Sequence, residues 1–319
     1  LTTVHGTCFE LLTRFAFEAG LSPEVRILPE REANLLLDRA LEEVADEARR
    51  QELYTLASQL GERDPRKGTW NWRSDVRTLV ATARTNDLAF DEVRSMGRRS
   101  MEEIEETLGP ATSDNLDELL REAAESFLTL SASSTTKVTG KYRELLKPFL
   151  GDRRPDWPQW AALHGNSGPE KKLQGEAEAI ADLAGRATEH PALRADLARY
   201  LDLLFQLAAE VGERFTLLKR ERGAADFTDL EKEALDLLRQ HPSVREILAE
   251  EIDLLLVDEF QDTSPIQLAL FTELGKLAGR VIWVGDVKQS IYGFRHADPE
   301  LVFAAARKAG TADSLGQSW

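Results

Sequence analysis

The sequence predicts a parallel α/β domain that is interrupted by a large all-helical insertion. Two short, continuously apolar runs, residues 254–257 and 281–284, are separated by a helical segment. A strand, a helix and a strand within roughly 30 residues form a βαβ unit, so the two strands are expected to be parallel. Residues 26–222, in contrast, carry apolar residues at helical spacing almost throughout. The α/β domain is therefore predicted in two pieces, residues 1–25 and 223–319.

The first piece is predicted to begin extended and to continue as a helix that Gly20 ends. Its apolar residues recur at helical spacing: Cys8, Leu11, Leu12, Phe15 and Ala19. The longest helical pattern of the insertion runs from Leu193 to Leu218. Stretches rich in glycine, proline and serine indicate the loops between its helices, at residues 61–68, 109–113, 131–140 and 151–169.

Two helix starts are predicted in the second piece. Thr228 with Glu231 three residues later fits a capping box, and Ser264 with Gln267 fits another. Pro265 stands at the first helical position after Ser264, where its missing N–H costs nothing. Because the run at residues 254–257 is apolar at every position, its strand is expected to be buried on both faces.

The net charge of −16 by itself argues against a nucleic-acid partner, because phosphates are bound by lysine and arginine. A protein that binds nucleic acid needs only a local basic path. Two clusters could supply one or could be solvated helix faces: Arg94, Arg98 and Arg99, and Lys219, Arg220 and Arg222. The sequence contains no run of about 18 apolar residues, so no membrane span is expected. The single cysteine, Cys8, excludes an internal disulfide and favours a reducing, cytoplasmic setting.

Acidic residues follow both predicted strands. Asp258 and Glu259 follow the first, and Asp286 follows the second, with the amide of Gln289 three residues later. Ligands of open α/β sheets bind outside the carboxyl ends of parallel strands, so these side chains are expected to line one crevice. Phosphoryl transfer needs a carboxylate that holds Mg²⁺ and a group that orients the attacking water. An acidic pair after a strand can also be a helix cap, but the long strings DEFQDT (258–263) and GDVKQSIYGFR (285–295) favour the nucleotide site.

These two strings resemble the second and third helicase motifs of the UvrD/Rep/RecB family of superfamily-one helicases. Residues 3–8, TVHGTC, are similar to a short family motif that lines the DNA path, and residues 226–230, DFTDL, to the segment that re-enters the motor domain after the insertion. Lys288, together with Phe294, makes the third string more similar to the RecB/AddA branch. The resemblance implies a RecA-like P-loop NTPase motor domain in an ATP-dependent DNA helicase or translocase that tracks single strands 3′ to 5′.

The resemblance implies roles at the nucleotide. Asp258 would bind Mg²⁺, and Glu259 would activate the hydrolytic water. Gln289 would sense the γ-phosphate of ATP, and Arg295 would couple the nucleotide state to motion. Gln261 could contact the nucleotide or order its own loop through a local hydrogen bond.

Other residues are expected on DNA. The resemblance places Thr3 and His5 on the DNA path, and Tyr292 and Phe294 against bases of a single strand. Stacking on a base is worth roughly 1–3 kcal/mol and tolerates any sequence, as a translocating motor requires. For Tyr292 and Phe294 the alternative is packing within a loop at the end of the strand.

A phosphate-binding loop, G-x-x-x-x-G-K-[ST], does not occur in the sequence. Gly140-Lys141 is followed by Tyr142, and Gly275-Lys276 by Leu277. The resemblance places this loop upstream of Thr3. The chain is therefore expected to be an internal fragment that by itself hydrolyses ATP negligibly.

Three functions remain open. The RecB/AddA branch implies one subunit of a helicase-nuclease in double-strand-break repair and recombination, with a nuclease elsewhere in the protein and a second subunit as a candidate partner. A repair helicase of the UvrD/Rep kind has no nuclease. A DNA-binding scaffold would have lost catalysis, although the intact Asp258, Glu259, Gln289 and Arg295 argue against such a loss.

Overall fold

The computed structural model describes residues 2–21, 25–61, 72–151 and 153–285. Most of these residues are helical, and the strands among them form two small parallel pairs. In chain order the helices are α1 (Val4–Arg14), α2 (Glu30–Val44), α3 (Glu47–Leu60), α4 (Trp72–Thr85), α5 (Phe90–Leu108), α6 (Leu116–Leu130), α7 (Lys137–Leu146), α8 (Trp157–His164), α9 (Gln174–Gly185), α10 (Pro191–Glu221), α11 (Phe227–Gln240), α12 (Pro242–Glu251) and α13 (Pro265–Gly275). The strands are β1 (Arg26–Ile27), β2 (Ala224–Ala225), β3 (Leu254–Val257) and β4 (Arg280–Trp283).

The chain divides into two compact units. The first unit comprises Leu1–Glu42, Arg77–Phe90 and Glu210–Trp319, and the second comprises Glu43–Val76 and Asp91–Ala209. The long helical pattern predicted from Leu193 to Leu218 is confirmed, since it lies within α10.

The predicted strand–helix–strand unit is present in the first unit. Strands β3 and β4 are parallel, with Leu254 opposite Arg280 and Val257 opposite Trp283, and α13 connects them. Helix α13 has Ser264 as its N-cap and the predicted capping box with Gln267. These local predictions are confirmed, and the second strand begins one residue earlier than predicted.

Burial of β3 on both faces is a wrong prediction. Val257 is buried, but Leu254 and Leu256 are 50% and 48% exposed. Successive residues of a strand point to opposite faces, so Leu254 and Leu256 share one face, and that face is open to solvent. An apolar run predicts a strand, but it does not say which faces the rest of the fold covers.

A second parallel pair was not predicted. Strand β1 pairs with β2, with Arg26 opposite Ala224 and Ile27 opposite Ala225. The two strands lie at the ends of the helical segment 26–222, so the chain enters and leaves this segment at neighbouring points. Gly223, just before β2, has a φ of +57°, a left-handed conformation that glycine adopts without strain.

Each unit has its own apolar core. In the first unit, α1, α11, α12 and α13 bury a common set of side chains, which includes Cys8, Leu11, Leu12, Leu230, Leu235, Leu248, Ile266 and Leu270. In the second unit, a cluster of aromatic and aliphatic residues includes Phe127, Tyr142, Trp157, Trp160 and Ile180. The helices that carry the candidate site residues are therefore held together by apolar contacts.

Candidate functional site

The acidic pair lies where β3 ends. Asp258 follows the last strand residue, Val257, and both carboxylates are exposed. The backbone N–H of Glu259 donates to Oδ1 of Asp258 over 2.9 Å. Glu259 has a φ of +54°, which is a left-handed conformation that non-glycine residues adopt at a cost of roughly 1–3 kcal/mol. Such strain is concentrated at functional sites, and here it sets the direction in which the Glu259 carboxylate leaves the strand.

Gln261 orders this loop from within. It lies in the 3-10 turn Phe260–Asp262, is 2% exposed, and donates through Nε2 to a carboxylate oxygen of Glu259. The local hydrogen bond that the sequence left open is therefore present. Contact of Gln261 with a nucleotide stays a prediction.

The second acidic block meets the first through the backbone. The N–H of Val284 donates to the carbonyl oxygen of Val257 over 2.8 Å, and the N–H of Phe260 donates to the carbonyl oxygen of Val284 over 3.1 Å. Gly285 lies against this turn so closely that a Cβ there would stand 2.4 Å from both Oε1 of Gln261 and a ring carbon of Phe260. The glycine that opens the second string is therefore required by the packing of the first.

The rest of the second block falls outside the described residues. Asp286, Gln289, Tyr292, Phe294 and Arg295 lie in the range 286–319, and their predicted roles stay predictions.

Thr3 and His5 both have defined positions at the start of α1. Thr3 is the N-cap, and its Oγ1 accepts from the N–H of Gly6 over 3.1 Å. The ring of His5 stacks on that of Phe227 with centroids 4.4 Å apart, and its Nε2 lies 3.1 Å from Oε1 of Glu231. The side chain of His5 is 38% exposed, so part of it remains available for a ligand.

The start of α11 differs from its prediction. Asp226 is the N-cap and forms a capping box with Asp229, so the predicted box of Thr228 and Glu231 is wrong. Two overlapping capping boxes are possible within this segment. The fold adopts the box of Asp226 and Asp229, whose carboxylates also pair with side chains outside α11. Glu231 instead accepts hydrogen bonds from other elements of the first unit.

The partners of the Asp226 and Asp229 carboxylates are Lys219 and Arg84. The ammonium group of Lys219 lies 3.0 Å from Asp226 and 2.6 Å from Asp229, and Arg84 donates to both carboxylates. Both cations lie over the ring of Phe215. Lys219 is 2% exposed, so neither of the two roles left open for it, a basic DNA path or a solvated helix face, fits its position. The ammonium group of Lys219 takes part in an internal network of ion pairs, because the side chain is buried among the helices of the first unit.

Electrostatics in this network follow from burial and from charge pairing. Burial alone would raise the pKa of Asp226, but the positive charges of Arg84 and Lys219 outweigh it and bring the pKa to about 2. Burial and the nearby charge of Arg84 lower the pKa of Lys219. Sequence reasoning missed Arg84 and assigned other roles to Lys219 and Glu231, since the spacing of residues along a helix gives no sign of a distant partner.

The carboxylates after β3 suit a hard divalent cation. No group of three or more His, Cys, Asp or Glu side chains that could hold a metal occurs in the part of the chain that the structure describes. Mg²⁺ does not require such a cage, because it is usually bound through one or two carboxylates together with substrate phosphates and water. Asp258 and Glu259 fit that pattern. In the described ranges, no helix is both long enough and apolar enough to cross a membrane.

Comparison with known proteins identifies what this chain is similar to. The model of the UvrD/REP helicase N-terminal domain matches residues 1–309. A protein of Geobacillus kaustophilus, named as one subunit of an ATP-dependent helicase/nuclease, is 28% identical over 98% of this chain and 29% of its own length. A protein of the same name from Carboxydothermus hydrogenoformans is 28% identical over 94% of this chain. Another from Natranaerobius thermophilus is 38% identical over 33% of this chain. The chain spans less than a third of the length of these relatives.

Proposed function

The chain belongs to the UvrD/REP helicase N-terminal domain family, and from this premise we propose that the full-length protein is an ATP-dependent DNA helicase or translocase. The observation that carries the proposal is the loop at the end of β3. It presents the carboxylates of Asp258 and Glu259 next to each other, and Gln261 holds Glu259 from inside the loop. A loop ordered in this way has two exposed carboxylates in fixed relation, which is what positioning of a metal and a water requires.

Each carboxylate has its own role in the proposal. Asp258 holds Mg²⁺, and Glu259 orients the attacking water and accepts its proton. Bound Mg²⁺ would neutralise negative charge on the phosphates of ATP. The left-handed backbone of Glu259 and the hydrogen bond from Gln261 restrict where the Glu259 carboxylate can lie.

Further residues enter the proposal through the resemblance. Gln289 senses the γ-phosphate, and Arg295 couples the nucleotide state to motion. Tyr292 and Phe294 stack on bases, and the segment of Thr3 and His5 contacts the single strand. The partial exposure of His5 supports its part in this assignment.

We also propose the architecture that these roles need. A RecA-like P-loop motor domain consists of residues 1–25 and 223–319 and is interrupted by a helical insertion at residues 26–222. The parallel pair of β3 and β4 and the adjacent ends of β1 and β2 support it. A RecA-like domain binds its ligand at the carboxyl ends of parallel strands, which is where Asp258 and Glu259 lie.

The names of the relatives favour one branch of the family. They support one subunit of a helicase-nuclease. We propose that this helicase-nuclease acts in double-strand-break repair and recombination, with a second subunit and in a cytoplasmic setting. A UvrD/Rep-like helicase without a nuclease is the second candidate, favoured by the family model, which is named for that kind of helicase. A nuclease assay on the full-length protein separates the two. An inactive scaffold is the third, and it predicts no ATP turnover.

The test is ATP turnover by the full-length protein with single-stranded DNA. We expect Glu259→Gln to lower turnover about 10²–10⁴-fold, the range for loss of a general base. Glu250→Gln, an exposed glutamate near the end of α12, is the matched control and should keep wild-type turnover. Wild-type turnover in Glu259→Gln would overturn the role of Glu259, and absence of turnover in the unaltered protein would overturn the proposed function. Faster unwinding of duplexes with a 3′ tail than with a 5′ tail is expected from the polarity.

A further inference from the structure

Glu231 is a buried carboxylate that joins two parts of the proposed site. It lies on α11 and is 4% exposed. One of its oxygens, Oε1, lies 3.1 Å from Nε2 of His5 on α1 and accepts from Nε2 of Gln267 on α13 over 2.5 Å. An ionised carboxylate only accepts, so a hydrogen bond at this contact needs the proton of His5 on Nε2. A single atom of Glu231 thus connects the start of α1 with the start of α13.

Gln267 continues the connection to the acidic loop. Its Oε1 accepts from the backbone N–H of Ser264 over 3.2 Å, and its own N–H donates to Oγ of Ser264. Ser264 follows Thr263, whose N–H donates to the carbonyl oxygen of Phe260 in the turn that carries Gln261. Gln261 in turn holds the carboxylate of Glu259. Hydrogen bonds and short stretches of backbone therefore lead from His5 to the proposed water-orienting residue.

Stability alone does not account for this carboxylate. Helices α1, α11 and α13 already share an apolar core that includes Cys8, Leu235 and Ile266. Burial of a carboxylate has a desolvation cost that its hydrogen bonds offset only in part, and an apolar residue of similar size is often as stable. Burial is the main cause of the raised pKa of Cys8, and the negative charge of Glu231 raises this pKa further. The electrostatic field of Glu231 therefore reaches into the core. A residue that is costly to bury and that links two proposed ligand sites is a candidate for coupling them.

We propose that Glu231 is a positioning residue that couples the DNA-contacting segment of His5 to the nucleotide-binding loop at Glu259. The inference rests on the proposed function. A strand of DNA that engages His5 fixes the position of its ring on Phe227, and through Nε2 it fixes Oε1 of Glu231. Gln267 then holds the start of α13 and the loop before it in one arrangement. Coupling between two sites amounts to about a 5- to 150-fold change in the response of one to the other.

The test compares turnover of ATP with and without single-stranded DNA in the full-length protein. In Glu231→Leu the acceptor is lost while the size is nearly kept, and we expect the ratio of stimulated to basal turnover to fall at least about 5-fold. Glu231→Gln keeps an accepting oxygen for both partners and should retain most of the stimulation. Glu233→Leu is the matched control, since Glu233 is a half-buried glutamate of the same helix that lines a cavity with Leu12 and Leu230 instead.

Two results would overturn the inference. One is wild-type stimulation in Glu231→Leu. The other is an equal loss in Glu231→Gln and Glu231→Leu, which would assign the effect to charge and not to the shared acceptor. If the unaltered protein shows no DNA-stimulated turnover, the proposed function fails instead, so the two failures are distinguishable.

A double-mutant cycle gives an answer even if Glu231→Leu does not fold. His5→Ala and Gln267→Ala each remove one partner of the same oxygen, so the double variant should lose less stimulation than the two separate losses combined. If the stimulation lost in the double variant equals the product of the two separate fold-losses, His5 and Gln267 act independently. That result would contradict a relay through Glu231.

Discussion

The ammonium group of Lys219 lies 2.6 Å from a carboxylate oxygen of Asp229, although Lys219 is almost completely buried. Asp226 lies 3.0 Å from the same nitrogen, and the ring of Phe215 lies beneath it with a centroid distance of 4.1 Å. This cluster joins the end of α10 to the start of α11, where the chain leaves the long helical segment. It therefore fixes the helix that also carries Glu231.

We expect Asp226→Asn to destabilise the protein by roughly 3 kcal/mol, because removal of one partner leaves a buried charge poorly compensated. Asparagine is itself a good N-cap, so the loss reports on the charge and not on the cap. Urea denaturation of the chain measures it. The control is Asp236→Asn, which affects the part-exposed pair with Lys232 and should cost at most about 1 kcal/mol. Equal costs in the two variants would contradict a special role for the buried cluster.

The same carboxylate predicts a dependence of stability on acid. The pKa of Asp226 is about 2 in the folded chain, against an ordinary value of 3.8, so folding favours the deprotonated form. Its contribution, on the order of 2 kcal/mol, is fully present above about pH 4 and is lost as the pH falls toward 2. The difference in unfolding free energy between the wild type and Asp226→Asn should therefore shrink between pH 5 and pH 2. A difference that stays constant over this range would contradict the prediction.

Cys8 should be unreactive in the folded chain. Its thiol is fully buried, and burial, with a further contribution from the negative charge of Glu231, raises its pKa to about 12. The thiolate is the form that reacts with alkylating agents, so labelling by iodoacetamide at pH 8 should require unfolding. Mass spectrometry gives an unambiguous result because Cys8 is the single cysteine of the sequence. Rapid labelling without denaturant would show that α1 detaches from the core.

Gly285→Ala should disturb the acidic loop, because the added Cβ would stand 2.4 Å from Oε1 of Gln261. We expect a loss of about 1–3 kcal/mol in stability, as for other overpacked sites. In the full-length protein, ATP turnover should also fall, since Gln261 holds Glu259. Gly175→Ala is the control. Gly175 lies in α9 with no atom within 4 Å of the added Cβ, and the change should stabilise by up to about 1 kcal/mol. Normal turnover and stability in Gly285→Ala would contradict the packing argument.

Local signals were sufficient for part of the fold and part of the site. The capping box of Ser264 and Gln267 could be predicted because its partners are three residues apart and interact in any helix start. The order of β3, α13 and β4 followed from apolar runs of the right length. The box at Thr228 failed, because Asp226 two residues earlier offers a competing cap and has Lys219 and Arg84 as additional partners.

The sequence by itself determined the helical periodicity, the parallel strand–helix–strand unit and the acidic loop with Asp258 and Glu259, because these depend on residues that are neighbours in the chain. Only the tertiary structure decided which charges are internal and which faces are open. His5 and Glu231 are 226 positions apart, and no local pattern indicates their contact. Lys219 has a basic side chain but is buried, and Leu256 has an apolar side chain but is half exposed. Burial and ion pairing are set by the segments that packing brings together, so they follow from the fold and not from the spacing of residues along the chain.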